Sequence, residues 1–373
     1  MNLKYYALSA VFFLFTTFAF GQELNIGTYK FKDGSVYTGE LQGKKPNGKG
    51  TTVFPNGEKF EGEYMKGKRQ GYGVFTFPDG ERYEGQWFQD QQHGYGTYYF
   101  MNNNRYMGMW YADYQHGDGT MYYYNGDVYK GNWMNDKREG RGLYTWKSGA
   151  YYDGEWKVDK KNGQGTLAWE DGSKYVGEWR NNVRWGHGKY QYPSGDCYDG
   201  EWENDIQNGK GIYYFSSGEK YVGDYHNGER TGQGEYTMPN GDKYIGQFKD
   251  GMRDGQGTLI TSKGTYVGLW VDNQCNGHGK YTWGTGNSYE GEWKSDLYDG
   301  FGTLILNDGT KFKGYFEKGL EEGKGVRQEK DGTRFEGFYH RGKKDGPFVE
   351  YDQNGNVLRR GTYKLGMIDT VEK

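Results

Sequence analysis

The stretch YDGEWENDIQNGKG, which begins at Tyr198 and ends at Gly211, contains the pattern that decides the fold. Tyr198, Gly200 and Trp202 are spaced by two residues, so in a β-strand all three would lie on one face. A Gly-x-Gly begins at Gly209, and alternating aromatic residues come after it. The stretch therefore predicts one short strand, a loop of polar residues, and a second strand that begins at the Gly-x-Gly.

The same pattern repeats every 23 residues along the chain, with one residue missing before Tyr266. A Tyr or Phe opens each of 14 units, and Gly follows two and eleven residues later in every unit. Four residues after the opening residue the side chain is aromatic in 13 units, and Leu41 takes that place in the first. The opening residues are Tyr37, Phe60, Tyr83, Tyr106, Tyr129, Tyr152, Tyr175, Tyr198, Tyr221, Tyr244, Tyr266, Tyr289, Phe312 and Phe335.

Many units end in a turn signal such as Asp79-Gly80 or Asn240-Gly241. Asp, Asn and Gly tolerate the positive φ that tight hairpin turns require, so each unit is predicted to be a β-hairpin. A Gly between two aromatic residues on one face leaves room for a neighbouring ring to lie on bare backbone. The predicted fold is all-β: an elongated, single-layer, twisted antiparallel sheet of tandem 23-residue β-hairpin repeats, with an aromatic-lined trough.

The chain divides into four segments by this repeat. Residues 1–21 are predicted to be a signal peptide, and residues 22–36 form an N-terminal half-repeat cap. Thirteen repeats occupy residues 37–334, and residues 335–373 hold a divergent last repeat with a C-terminal half-repeat cap. The last segment carries charged residues where other units have aromatic ones, as expected for the polar end of a repeat array.

The first segment has the features of a cleaved export signal. Lys4 precedes an apolar run at residues 7–20, and small residues stand where signal peptidase cleaves, before Gln22. The run is shorter than the roughly 20 residues that span a bilayer. We therefore expect export to the periplasm, the medium or the cell surface, without a lipid anchor because the residue after the cleavage site is not Cys.

Composition and charge exclude two classes of protein. The 373 residues include 66 Gly, and 19% are aromatic, a content at odds with intrinsic disorder. The 47 basic and 50 acidic residues are interspersed and leave a net charge of −3. A nucleic-acid-binding protein would show a basic face or stripe, so no nucleic-acid partner is predicted.

The glycines and carboxylates do not form a catalytic motif. Residues 43–49 (GKKPNGK) approach a phosphate-binding loop, but Gly50 stands where Ser or Thr must hold magnesium, and no helix pattern follows. Carboxylate pairs such as Glu61 with Glu63 recur in unit after unit, as on a solvated face, whereas catalytic carboxylates need distinct environments. We predict no catalytic residues, no enzyme activity and no cofactor.

The histidines and cysteines also indicate no special site. His93 and His116 occupy the same position in adjacent units, about 10 Å apart at two strand spacings, and further ligands for a zinc ion are missing nearby. No metal site is predicted. Cys197 and Cys275 lie more than three units apart, too far for the roughly 7 Å limit of a disulfide.

Three segments carry the resemblance to a known family. YEGQW at residues 83–87, YVGEW at residues 175–179 and YEGEW at residues 289–293, each followed by Gly-x-Gly, resemble MORN repeats. The resemblance covers nearly all of the predicted mature chain, and DGPFVEY at residues 345–351 is similar to MORN-variant repeats of some bacterial proteins. It implies a β-hairpin array used for scaffolding, self-association or membrane contact, with phospholipid binding often ascribed to the family.

Three functional hypotheses remain at this point. The first is a non-catalytic scaffold that binds a protein partner or assembles with itself, through multivalent contact along the array. The second is contact with a phospholipid membrane surface, and the third is glycan binding by ring stacking. Candidate lipid contacts are Lys66, Lys68 and Arg69. The candidate aromatic contact surface consists of Tyr83, Trp87, Trp110, Trp133, Trp156, Trp179, Trp202, Trp270 and Trp293.

Overall fold

The computed structural model describes residues 25–372, and every regular element in this range is a β-strand. The predicted signal peptide lies outside these residues. In the same range no helix has the length and apolar character needed to cross a membrane. The strands are β1 Asn25–Lys30, β2 Val36–Gln42, β3 Lys45–Val53, β4 Lys59–Met65, β5 Lys68–Thr76, β6 Arg82–Phe88, β7 Gln91–Tyr99, β8 Arg105–Tyr111, β9 Tyr114–Tyr122, β10 Val128–Met134, β11 Lys137–Thr145, β12 Tyr151–Lys157, β13 Lys160–Ala168, β14 Lys174–Arg180, β15 Val183–Gln191, β16 Cys197–Glu203, β17 Ile206–Tyr214, β18 Lys220–His226, β19 Glu229–Thr237, β20 Lys243–Lys249, β21 Met252–Thr261, β22 Gly264–Val271, β23 Gln274–Trp283, β24 Ser288–Lys294, β25 Leu297–Ile305, β26 Lys311–Glu317, β27 Leu320–Gln328, β28 Arg334–His340, β29 Lys343–Tyr351, β30 Val357–Lys364 and β31 Met367–Glu372.

The strands of residues 25–372 pair in an antiparallel manner. The chain separates into two compact units, with the division after Gly140. In the N-terminal unit, β1 to β10 each pair with the next strand along the chain. In the C-terminal unit, β12 to β31 do the same. The predicted all-β antiparallel hairpin array is confirmed.

Two kinds of turn alternate along the array. The turn after the second strand of a unit forms at the predicted Asp-Gly or Asn-Gly. At Asp79-Gly80, the Gly80 N–H donates to the Phe77 carbonyl at 3.1 Å, and Gly80 has φ 95°. The Asp79 carboxylate caps this turn by accepting from the Glu81 N–H at 3.0 Å. This is the three-residue hairpin connection that ends in a left-handed residue, as Asp-Gly predicts.

The turn inside each unit is tighter than predicted. Gln89 and Asp90 alone join β6 to β7, and both have positive φ, 50° and 76°. Two consecutive left-handed residues match the hairpin turn whose twist suits β-strands. The second strand therefore begins at Gln91, three residues before Gly94, and the prediction that it begins at the Gly-x-Gly is wrong.

The extra residues before the Gly-x-Gly form a β-bulge. The pairing of β6 with β7 shifts between Gly85 and Trp87, and Gly94 in the bulge has φ 65°. A Cβ built on Gly94 would lie 1.9 Å from Oε1 of Gln86. Both the positive φ and the lack of space therefore exclude a side chain at this position. In other units a Glu takes the position of Gln86 and accepts a hydrogen bond from the backbone of the bulge. For example, the Gln164 N–H donates to the Glu155 carboxylate at 3.0 Å.

The remaining glycines lie opposite one another in a row across the strands. In the N-terminal unit the row runs from Gly27 to Gly131, with a glycine paired to a glycine at every strand. In the C-terminal unit it runs from Gly154 to Gly337 and stops at Phe348, which pairs with Gly337. We call this the glycine row.

Where two glycines of this row face each other, the opening Tyr or Phe lies flat on both; Phe335 is the exception, because Phe348 replaces the second glycine. A Cβ added to Gly85 or Gly96 would lie 2.5 or 2.4 Å from Oη of Tyr83, closer than any real contact. Tyr83 is completely buried, and its hydroxyl donates to the Gln86 carbonyl at 2.9 Å. Only glycine at these positions leaves space for the ring.

The rings then pack against one another edge to face. Tyr83 contacts Trp87 of its own strand and Trp110 of the next hairpin, both with ring centroids 5.3 Å apart and planes near perpendicular, at 88° and 82°. This is the preferred geometry for aromatic pairs. The same contacts continue from Tyr37 to Trp133 in the N-terminal unit. The edge-to-face contacts also continue through the C-terminal unit from Trp156 to Phe335. We call the face of the sheet that carries these rings the ladder face.

A glycine in the row is predicted to tolerate no side chain. In Gly188→Ala the new methyl group meets the ring of Tyr175, whose Oη lies 2.1 Å from the added Cβ. Overpacking of this kind costs about 1–3 kcal/mol, so the midpoint of urea unfolding, followed by tryptophan fluorescence, should fall. Gly284→Ala is the matched control, since its nearest neighbour is 3.7 Å from the added Cβ. Equal midpoints for the two variants would contradict the packing described.

The two cysteines are predicted to differ in reactivity. Burial, and then the charge of Asp296, raises the pKa of Cys275 to about 12. Burial also raises the pKa of Cys197, which is only half-buried. Because the thiolate is the reactive form, Ellman's reagent near neutral pH should label Cys275→Ser, which retains Cys197, faster than Cys197→Ser. Raising the pH should speed both reactions, and equal rates in the folded proteins would contradict this placement.

Candidate functional site

The structure places all nine candidate aromatic residues in the core rather than on a contact surface. Tyr83 is fully buried, and the exposure of the eight tryptophans is at most 8%, at Trp293. Each ring is covered by the rings of the adjacent hairpins. The candidate contact surface is corrected accordingly, because a partner cannot reach side chains that are enclosed by their own ladder.

The polar atoms of these rings are also satisfied inside the sheet. Nε1 of Trp87 donates to the Gly73 carbonyl at 3.3 Å, and Nε1 of Trp202 donates to the Gly188 carbonyl at 2.9 Å. Buried Trp and Tyr normally find such a partner. No donor of either indole is therefore left for a ligand.

The three candidate lipid contacts line one groove but differ in exposure and in what they contact. Lys66 and Lys68 are exposed, and Lys68 lies 3.8 Å from Asp90. Arg69 instead lies over the ring of Trp87, 4.3 Å from its centroid, and donates to the Asp90 carbonyl at 2.7 Å. Its side chain is only 20% exposed, so Arg69 serves the ladder, and its assignment as a lipid contact is corrected.

Lys66 and Lys68 line a groove at the start of the N-terminal unit. The groove has a volume of about 600 Å³. Its floor is the hydroxyl pair of Thr52 and Tyr64, 2.6 Å apart. Sequence reasoning missed the other lining lysines, because the fold brings the half-repeat cap beside the first hairpins. The charged lining residues are Lys32, Asp33, Lys45, Lys66, Lys68, Arg69 and Asp90.

The other face of the sheet, which we call the open face, carries exposed apolar side chains in the N-terminal unit. Tyr72 and Tyr95 are 56% and 54% exposed, and Met109, which pairs with Tyr95, is 42% exposed. Met107 lies two residues before Met109 and so shares this face. We call these four residues the open-face patch.

The patch is a local departure from the repeat. At the corresponding positions of the next hairpins the residues are polar or charged, as at Glu155, Gln164 and Glu178. A second exposed aromatic pair occurs in the C-terminal unit, where Phe301 and Tyr315 lie 5.3 Å apart. Sequence reasoning missed both groups because they occupy the variable positions beside the glycines, which it assigned to a solvated face.

The histidines lie among aromatic side chains near the short turns of the N-terminal unit. His93 contacts Phe88 and Tyr111 at ring distances of 5.5 and 5.2 Å, and His116 contacts Tyr111 at 5.8 Å. Among residues 25–372, no three His, Cys, Asp or Glu side chains are grouped closely enough to hold a metal ion. The arrangement is one of packing, and absence of a metal site remains a prediction for the whole chain.

Solved structures resemble the chain only distantly. The SAS-4 (dCPAP) TCP domain in complex with a proline-rich motif of Ana2 (dSTIL) of Drosophila melanogaster shares 17% identity over 42% of this chain and 85% of that chain, with a TM-score of 0.28. The wild-type TCP10 domain of Danio rerio CPAP shares 12% identity over 78% and 99%, with a TM-score of 0.17. Scores this low support no inference about function. No curated protein sequence matches the chain.

The sequence model of the MORN repeat matches thirteen consecutive copies. The copies cover more than half of the chain. They lie at residues 37–59, 60–82, 83–105, 106–128, 129–151, 152–174, 175–197, 198–220, 221–243, 244–265, 266–288, 289–311 and 312–334. The chain therefore belongs to the MORN-repeat family.

Proposed function

We propose that this protein is a non-catalytic, exported scaffold that binds protein partners through the open face of its sheet. MORN repeats form repeat scaffolds that commonly bind proteins or membranes. The observation that carries the choice of a protein partner is the exposure of aromatic and methionine side chains on the open face, in a chain whose ladder rings are buried. Tyr72 and Tyr95 are 56% and 54% exposed, and Met109 is 42% exposed.

The composition of the patch supports this choice. Tyr, Met and Arg are enriched in the centres of protein interfaces, whereas Lys and Glu are depleted there. The open-face patch contains two Tyr and two Met side chains and no charged one. The pair Phe301 and Tyr315 gives the C-terminal unit a second exposed group. Two separate groups on one chain suit a scaffold, since weak contacts add through effective concentration.

Phospholipid contact is the second candidate, supported by the lysine groove of the N-terminal unit. Lys32, Lys45 and Lys66 line the groove and have no carboxylate partner within residues 25–372. Anionic lipid attracts such lysines by roughly 1 kcal/mol each near the surface. Glycan binding is less supported, because the indole rings that would stack on a sugar are enclosed in the ladder.

The proposed location is outside the cytoplasm, in the periplasm, in the medium or at the cell surface. Its basis is the basic and apolar sequence of residues 1–21. Absence of enzyme activity is part of the same proposal and follows from the uniform repetition of carboxylates along the array.

Removal of the exposed tyrosines is predicted to abolish partner capture. The full chain, expressed in its own host and recovered after mild cross-linking, should retain a defined set of proteins that Tyr72→Ser/Tyr95→Ser loses by at least about tenfold, the effect of one interface hot spot. Tyr124→Ser is the matched control, because Tyr124 lies in a turn and is 75% exposed. Mass spectrometry of the captured proteins gives the measurement.

The same variants separate the two candidates. If the double variant captures as much protein as the control, the open face is not the binding surface. Flotation with vesicles of anionic phospholipid tests the alternative. Vesicle binding that persists at near-physiological salt and is lost in Lys45→Gln/Lys66→Gln would put phospholipid contact first.

A further inference from the structure

Arginine and tyrosine side chains alternate across the open face of the N-terminal unit. Arg82 pairs with Tyr99, Tyr99 pairs with Arg105, and Arg105 pairs with Tyr122. The guanidinium of Arg82 lies 4.5 Å from the ring centroid of Tyr99, and that of Arg105 lies 4.6 Å from the ring centroid of Tyr122. Arg105 is on the strand that also carries Met107 and Met109, so all three side chains share the open face.

Arg105 differs from the two other arginines of this repeat position in lacking an acidic neighbour. Arg82 has Glu84 two residues later, 3.3 Å away. Arg334, in the C-terminal unit, lies over Tyr351 in the same way and has Glu336 at 3.2 Å. After Arg105 the equivalent residue is Met107.

The guanidinium of Arg105 is therefore left without an anion. Its Nε is buried and has no hydrogen-bond acceptor, and no carboxylate within residues 25–372 forms an ion pair with it. On the neighbouring strand, Asp118 lies four residues before Tyr122, the residue that pairs with Arg105, and it accepts from Nδ2 of Asn132 at 2.6 Å. Because Nε itself is enclosed, an incoming carboxylate would supply the missing opposite charge and accept hydrogen bonds from the terminal nitrogens of the guanidinium.

The geometry also prepares Arg105 for such a ligand. Contact with Tyr122 holds the guanidinium plane before any ligand arrives, which lowers the entropy lost on binding. A planar guanidinium matches a carboxylate with two parallel hydrogen bonds. Met107, Met109 and Tyr95 beside it offer an apolar surface.

We infer that the open-face patch binds a protein segment that presents an aspartate or glutamate to Arg105 and apolar side chains to Met107, Met109 and Tyr95. The inference rests on the proposed function, because it names the partner chemistry of the same face. Charge complementarity at Arg105 selects the acid, and the uncharged patch beside it selects the apolar neighbours. A membrane surface is the competing occupant, and the experiment below includes it as an outcome.

The test is selection of peptides from a displayed random library on the full chain. We expect the selected peptides to contain Asp or Glu flanked by apolar residues. One synthetic peptide is then titrated by fluorescence anisotropy. Arg105→Gln should weaken it at least about tenfold, as for loss of a charged hydrogen bond, while Arg82→Gln changes it less than about threefold because Arg82 is already neutralised by Glu84.

The acidic side chain of the peptide is then replaced by its amide, Asp by Asn or Glu by Gln, to complete a double-mutant cycle with Arg105→Gln. The amide peptide should bind wild type as weakly as the acid peptide binds Arg105→Gln, and the two changes together should add little further loss. Arg105→Lys keeps the charge without the planar fork and should recover only part of the affinity. Thermal unfolding by circular dichroism checks that each variant is folded.

Other outcomes separate the inference from the proposed function. Peptides that bind equally well to Arg105→Gln, but are lost in Tyr72→Ser/Tyr95→Ser, would overturn the acid inference and leave the open face as the binding surface. Peptides indifferent to all these variants, or no selected peptide at all, would count against both. Arg105-dependent binding of anionic vesicles without any selected peptide would replace the protein segment with a membrane.

Discussion

The structure depends on the contact between one aromatic ring and two glycines that face each other on adjacent strands. The ring of Tyr198 lies where side chains on Gly200 and Gly211 would otherwise stand, within 2.7 Å of the built Cβ positions. That contact brings the ring close enough to the backbone to be buried in a single-layer sheet. Because each ring also touches the rings of the next hairpin, one hairpin cannot bury its own core, and stability comes from neighbours.

The same constraint determines where function can lie. Glycine and ring positions cannot vary without loss of the ladder, and the polar atoms of Tyr83, Trp87 and Trp202 are already bonded within the sheet. Side chains beside the glycines point to the open face, where the repeat places no packing demand on them. The exchange of Glu84 for Met107 at equivalent positions leaves the fold unchanged and leaves Arg105 without an anion. The recognition that we propose for this chain therefore depends on its variable positions.

The sequence predicted the architecture because its period is fixed by strands and turns. The spacing of Tyr83, Gly85 and Trp87 gave the strand and its face, and Asp79-Gly80 gave one turn. The two-residue turn at Gln89 and Asp90 was missed, since neither residue is glycine and the bulge behind it hides the strand start. The sequence also did not predict that the tryptophans are buried, because the rings that cover them come from hairpins 23 residues away. The stacking of Arg69 and the exposure of Tyr95 depend on the same cross-strand neighbours.

The most direct measurement of the central claim is the proton chemical shift of the row glycines. In a sample labelled with carbon-13 at the glycine α-carbons, the α-protons of Gly200 and Gly211 lie against the face of the Tyr198 ring and should be strongly shifted upfield by its ring current. Tyr198→Leu should return both to ordinary strand values, while Gly284, which has no ring over it, should not move. Ordinary shifts for Gly200 and Gly211 in the wild-type protein would contradict the account.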